Sequence, residues 1–277
     1  MKALSGKFKT KLAHLTPISA SLLFGILCAF LISTSSLELY EVTPFPEDVS
    51  GSLGNACYFV ALVGIGATFL YLLLKRRQHK IITLITGFVL TTAVFTLSLI
   101  YLSAAFSMFT IPYIDALTLV LSILITVLAD LAIFRIGGVA CNLIVLCLGG
   151  ALGAFLGASV PTLSTVLILS FLAVYDVFAV YRGPVGKIAR GGLEQLRGLS
   201  FSFKDIQMGL GDLTFYSMLT SRVFFDSGFL FCFTSATGVL IGAFLALKML
   251  EKRGIFPGLP FPMILGLIPL VTPLVLW

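Results

Sequence analysis

The chain has 277 residues, of which 58% are hydrophobic and only 11% charged, and its mean hydropathy is +1.10. Those proportions exclude a soluble globular protein of this size and point to an all-α, polytopic membrane protein. A net charge of +6 would also suit a nucleic-acid binder, but the placement of the basic residues accounts for it through topology.

Apolar runs of roughly 20 residues, the length that crosses a hydrocarbon core of about 30 Å, recur along the whole chain. They predict nine helices, over 18–39, 55–74, 81–107, 113–134, 138–157, 162–181, 206–221, 229–249 and 260–277. The first is too long for a secretory leader and lacks a small-residue cleavage site, so it reads as a span. With the N-terminus in the cytoplasm, nine spans place every Lys and Arg except Arg222 on the cytoplasmic side, as the positive-inside rule requires. Adding or removing one span scrambles that partition. The chain therefore reads as a multi-pass protein of the cell membrane with its N-terminus cytoplasmic and its C-terminus outside.

The opposite face carries Glu41, Glu47, Asp48, Asp115 and Asp226, read as a solvated acidic rim rather than a metal site. Cys28, Cys57, Cys141, Cys147 and Cys232 all fall in spans without a Cys-x-x-Cys pair and read as packing residues. In the fifth span Gly149, Gly153 and Gly157 form a small-residue stripe that admits a close neighbouring helix. Packing within the bundle is the preferred reading of that stripe, a dimer seam the other, and homo-oligomerisation is left open. Asp130 is read as lying near the cytoplasmic end of the fourth span, partly solvated or paired with Arg135.

Most connections are short, so 1–277 is treated as a single membrane domain. It comprises a six-helix group (1–181), a cytoplasmic loop (182–205) and a three-helix group (206–277). The loop is basic and Gly-rich and is expected to be mobile or to lie on the membrane surface.

Two aspartates interrupt the apolar runs, Asp176 in the sixth span and Asp212 in the seventh. A carboxylate in mid-membrane costs about 2.5–3.5 kcal/mol on insertion scales, so each needs a partner, water or a proton. Counted from the loop the two spans share, both lie about 9–11 Å deep at 1.5 Å per residue. Antiparallel neighbours thus set them at one level, where two like charges in low dielectric would share a proton. Such a dyad can activate water with one carboxylate and polarise a peptide carbonyl with the other.

Nearby residues suit that chemistry. Gly209 and Gly211 lack Cβ atoms beside Asp212, which permits a close backbone and leaves room for water. Tyr175 precedes Asp176 and could hydrogen-bond a substrate or stack on it. Before the ninth span, Phe256-Pro-Gly-Leu-Pro-Phe-Pro262 must be extended or kinked, because proline lacks a donor and restricts the residue before it. Irregular backbone at membrane depth is tolerated beside protein or water, so this turn is expected to face a cavity.

Taken together, Tyr175-Asp176, Gly209-Leu-Gly-Asp212 and Pro257-Gly-Leu-Pro260 resemble the presenilin and signal peptide peptidase family of intramembrane aspartyl proteases. The motifs lie on the expected spans in the C-terminal half, while the first five spans match only in number and hydrophobicity. The resemblance implies that Asp176 and Asp212 are the catalytic dyad. It also implies that Pro257, Gly258, Leu259 and Pro260 shape the active site and engage substrate. Where the family pattern is Pro-Ala-Leu-Pro, this chain has Gly258, a sterically mild change that could loosen the turn. The loop is shorter than in animal presenilins, which argues against self-cleavage. The orientation is similar to presenilin's and opposite to that of signal peptide peptidases, so substrates should be membrane helices with their N-termini outside, unwound near the dyad. The reading calls for no metal, no cofactor and no nucleic acid.

A proton- or cation-coupled transporter or leak channel using the same carboxylates is the alternative from another class, with Asp130 as an extension of the relay. Prepilin peptidase also uses Gly-x-Gly-Asp, but often with a cysteine-rich cytoplasmic insertion. Zinc and rhomboid-type serine proteolysis are disfavoured: His-Glu-x-x-His is absent, and the only histidines, His14 and His79, flank spans.

Overall fold

The computed structural model describes residues 1–3, 9–37, 39–109, 113–183 and 198–276. Six apolar helices come first: α1 (Thr16–Thr34), α2 (Val49–Lys75), α3 (His79–Phe106), α4 (Ile114–Asp130), α5 (Gly138–Ser159) and α6 (Thr162–Tyr181). Pro17 begins α1, where the missing N–H costs nothing. Asp48 caps α2, accepting the Gly51 N–H at 2.7 Å. That hydrogen bond and one from the Ser50 hydroxyl hold its carboxyl below the usual range.

After α6 the chain forms a hairpin of β2 (Ser200–Phe203) and β3 (Ile206–Gly209). Its register pairs Phe203 with Ile206 across a two-residue turn, with Lys204 left-handed at φ 52°. β1 (Lys2–Ala3) adds to the other edge of β3, giving the order β1-β3-β2. The sheet corrects the predicted limits of both the loop and the seventh span, since 200–203 and 206–209 are strands and the helix begins only at Leu210. Ser200-Phe-Ser-Phe203 carries a strand's alternation, with Phe201 fully buried. The expectation that the loop is mobile falls largely on 184–197, which lie outside the described residues.

Among the described residues, seven helices are long and apolar enough to cross a membrane, the longest being Leu210–Arg253 with 44 residues. A straight helix of that length would run about 66 Å, twice the membrane thickness. It is broken at Gly228, whose φ of 79° and ψ of −172° are not helical. A Cβ on Gly266 would meet Val239 at 2.6 Å and Leu219 at 2.7 Å, so residues on either side of the break lie together. The two arms, α7 (210–227) and α8 (229–253), are therefore antiparallel neighbours. The last helix, α9 (Pro260–Leu276), packs backbone-close on α8, with Gly242 against Phe261 and Gly238 against Leu265.

The glycine stripe of α5 is filled from within the bundle. A Cβ at Gly149 would lie 2.8 Å from Leu213 Cβ, one at Gly153 2.4 Å from the Thr214 carbonyl, and one at Gly157 2.8 Å from the Met218 carbonyl. On the next face, Gly150 meets Ser21 and Gly25 of α1. The stripe thus seats α7, the helix that carries Asp212, instead of offering a seam to a second copy.

Polar side chains pin the other helices. Asn55 of α2 donates to Ser164 Oγ of α6 at 2.9 Å, and the Tyr101 hydroxyl of α3 donates to the Ala151 carbonyl of α5 at 2.6 Å. Arg222 pairs with Asp226 and donates to the Val160 carbonyl at 3.1 Å, while Thr162 donates to Asp226 at 2.7 Å. Asp226 therefore ties α7 to the start of α6 and orients Arg222, which in turn reaches the residue after α5, so it is not simply part of a solvated rim. Among the described residues, the Thr91 hydroxyl of α3 donates to Asp130, its oxygen lying 2.9 and 3.0 Å from the two carboxylate oxygens. Its partner is a neutral hydroxyl across the helix interface, and not Arg135.

Candidate active site

The polypeptide delivers the two aspartates in different ways. Asp176 lies in the last two turns of α6, one position after Tyr175, and is half-buried. Asp212 lies in the first turn of α7, immediately after β3 ends at Gly209. The short seventh span of the sequence reading is therefore a strand followed by a helix start. What brings the two carboxyl groups together is the segment before α9.

Consecutive residues of that segment touch one carboxyl group each. The Leu259 N–H donates to Asp176 Oδ2 at 3.0 Å. A Cβ on Gly258 would sit 2.7 Å from Asp212 Oδ2 and 2.9 Å from Oδ1. Covalent geometry between residues 258 and 259 then keeps the carboxyl groups within about 9 Å of one another. Both line one cavity of about 220 Å³, together with Tyr175, Gly209, Gly211 and Leu259.

The turn itself is held firmly. Tyr216, one helical turn beyond Asp212 and fully buried, donates its hydroxyl to the Gly258 carbonyl at 2.7 Å. Phe256 stacks on Phe261, with centroids 5.7 Å apart and ring planes 9° from parallel. Pro257, Gly258 and Leu259 are buried, and Pro260 opens α9. Residues 256–259 are non-helical and Leu259 lines a cavity, as expected, whereas Pro260 to Pro262 of the same run form the first turn of α9.

A methyl group at Gly258 would lie 2.7–2.9 Å from the Asp212 carboxyl group, so that side chain would have to shift to admit it. Glycine lets the turn backbone rest against that side chain. Gly209 and Gly211 play another part: a Cβ on either would meet nothing closer than 3.8 Å. They admit no close helix, and they leave open space beside Asp212 on the cavity side.

Sequence reasoning missed Tyr216, Gln207 and Phe215. Tyr216 had a readable signal, since four residues on from Asp212 is the same helix face. Gln207 and Phe215 line the cavity but carry no motif. The cavity walls are otherwise apolar, with Val63, Leu172 and Ile255 among them. They suit aliphatic side chains around a polar floor. Asp130 is not among the residues lining this cavity. Among the described residues, no group of three or more His, Cys, Asp or Glu side chains could hold a metal ion.

Comparison with known proteins follows the same line. Residues 21–196 match the family model described as signal-peptide peptidase, presenilin aspartyl protease. The match takes in Asp176 and the first five spans, which the sequence reading tied to the family only by number and hydrophobicity. No curated protein matches. Two solved structures, of a presenilin family intramembrane aspartate protease in C222 and P2 space groups, share the fold. The first has a TM-score of 0.67 at 17% identity, covering 96% of this chain and 99% of that one. The second has a TM-score of 0.65 at 20% identity, covering 95% and 98%. With well over half of its length matched by the family model, this all-α membrane protein belongs to the signal-peptide peptidase and presenilin family of aspartyl proteases.

Proposed function

We propose that Asp176 and Asp212 form the catalytic dyad of this endopeptidase, which hydrolyses peptide bonds within transmembrane helices of other membrane proteins. The observation that carries this reading is the contact of two consecutive backbone positions, Gly258 and Leu259, with the two carboxyl groups in one cavity. In the reaction the ionised carboxylate takes a proton from water as the oxygen attacks the scissile carbonyl carbon. The protonated partner donates to the carbonyl oxygen, giving a tetrahedral diol. Its collapse breaks the C–N bond as the leaving nitrogen takes a proton from the dyad.

The remaining groups serve substrate. Gly209 and Gly211 leave room for the water and for a substrate backbone, and Tyr175 borders the scissile position. Pro257, Gly258, Leu259 and Pro260 fix the spacing of the dyad. A helix shields its carbonyls by hydrogen bonding, so the substrate must be extended at the cut. The apolar walls accept the side chains of a membrane segment, and the reaction needs no cofactor.

Counting α7 and α8 separately and adding the shorter α9, the described residues support a reading of nine spans. With the positive-inside assignment this places the N-terminus in the cytoplasm and the C-terminus outside, in the cell membrane. The dyad then lies toward the cytoplasmic side and receives helices whose N-termini are outside. One domain performs the work, the first six helices framing Asp176 and the last three carrying Asp212 and the turn. The test is mass spectrometry of products from a single-span substrate, with and without a peptide whose scissile bond is replaced by a hydroxyl isostere. Cuts inside the apolar segment, suppressed by the isostere, are expected. Cuts confined to soluble flanks, indifferent to it, would overturn the reading.

A further inference from the structure

The backbone edges beside the catalytic cavity are already taken, and the chain itself takes them. The outer edge of β3 pairs antiparallel with β1, Lys2 opposite Gln207 and Ala3 opposite Ile206. On the other side, the Met1 backbone nitrogen donates to the Phe256 carbonyl at 3.2 Å, and the Phe256 N–H donates to the Met1 carbonyl at 3.3 Å. Met1 also lines the cavity that holds Asp176 and Asp212. The segment Met1–Ala3 thus bridges the hairpin and the residue preceding Pro257.

Those edges matter because of what an unwound substrate requires. Within a membrane every exposed N–H and C=O must find a protein partner. An unpaired strand edge is the ready-made partner for an extended peptide. The edge nearest Asp212 is that of β3, which runs into Gly209 and so into the first turn of α7. A peptide cannot pair with β3 or with Phe256 while Met1–Ala3 does.

The hold is local. Thr10 ties the chain further on, its hydroxyl donating to the Leu247 carbonyl at 3.0 Å and its N–H to Glu251 Oε2 at 3.1 Å. That attachment to α8 keeps the strand close to its slot at high effective concentration. A two-residue strand, however, offers few hydrogen bonds to hold it there.

We propose that Met1–Ala3 is an intramolecular competitor, seated in the slot that an extended substrate segment must enter, and that substrate binding displaces it. This rests on the protease reading for the meaning of the slot, but its test does not depend on turnover.

In the full chain, with its five cysteines replaced by alanine, Ala3→Cys and Ile206→Cys would place two thiols at paired positions. The probe is a fluorescent apolar peptide with a non-cleavable hydroxyl isostere, its binding followed by polarisation. Oxidation is expected to cross-link the strand and to weaken binding by about tenfold or more, with reductant restoring it. In the native chain, Lys2→Pro with Ala3→Pro should remove the pairing. It should tighten the peptide several-fold and lower KM without changing kcat. Equal binding by oxidised and reduced protein, failure of the cross-link to form, no change in the proline variant, or no binding to any form would overturn the proposal. Binding that shifts as expected in a protein that cleaves nothing would count against the protease reading alone.

Discussion

The two sides of α7 both face glycines, yet the glycines do opposite things. On the α5 side, Cβ atoms at Gly149, Gly153 and Gly157 would overlap α7 at 2.4–2.8 Å. On the cavity side, Cβ atoms at Gly209 and Gly211 would find nothing within 3.8 Å. One set lets two backbones touch and so fixes the depth and rotation of the helix. The other keeps a space open next to a carboxyl group that this fixed helix presents. Rigidity and vacancy on opposite faces of one helix make a cavity that keeps its shape inside a membrane.

Substitution can separate the two roles. Gly153→Ala is expected to have the largest structural effect. Overpacking against the Thr214 carbonyl should cost about 1–3 kcal/mol, lowering Tm and, by displacing α7, cleavage as well. An unchanged Tm would mean that the stripe does not seat α7. Gly258→Ala should leave Tm nearly intact but push the Asp212 carboxyl group, lowering kcat by about tenfold, equivalent to 1.4 kcal/mol. Unaltered kcat would show that the carboxyl group yields at no cost to catalysis.

Tyr216→Phe is expected to act more gently on catalysis. It removes one buried hydrogen bond and leaves the Gly258 carbonyl unpaired, a loss of about 1–3 kcal/mol in stability. If Tyr216 positions the turn, kcat should fall with little change in KM, whereas unchanged kcat at reduced Tm would make the contact purely structural. Gly211→Ala should have the smallest effect on folding and the opposite sign. With space for the methyl group in a helical turn, it is expected to raise stability by about 0.4–1 kcal/mol. A drop in Tm as large as that of Gly153→Ala would erase the contrast between the two glycine sets.

The parts of the site legible in the sequence are those where chemistry violates its surroundings. Asp176 and Asp212 are costly in apolar runs, and Pro257 and Pro260 cannot continue a helix, so each announces itself. The hairpin did not, because Ile206 to Gly209 continues smoothly into the apolar run of α7 and reads as its first turn. The two-residue β1 was hidden by its length, since no periodicity exists over Lys2–Ala3. The neighbour of Gly258 was hidden for a related reason: which atom stands where a methyl group would go is set by the fold. Asp130 went to Thr91 instead of Arg135 because its partner comes from α3, far away in sequence. The family match over 21–196 takes in the first five spans, which hold no motif that one sequence exposes.

The most direct test of the central claim is cleavage of a single-span substrate by the purified full chain in lipid, comparing wild type with Asp176→Ala and with Asp212→Ala. Each variant should lose cleavage entirely while keeping the wild-type Tm. Cleavage at the wild-type site by either variant would contradict a dyad built from these two carboxyl groups.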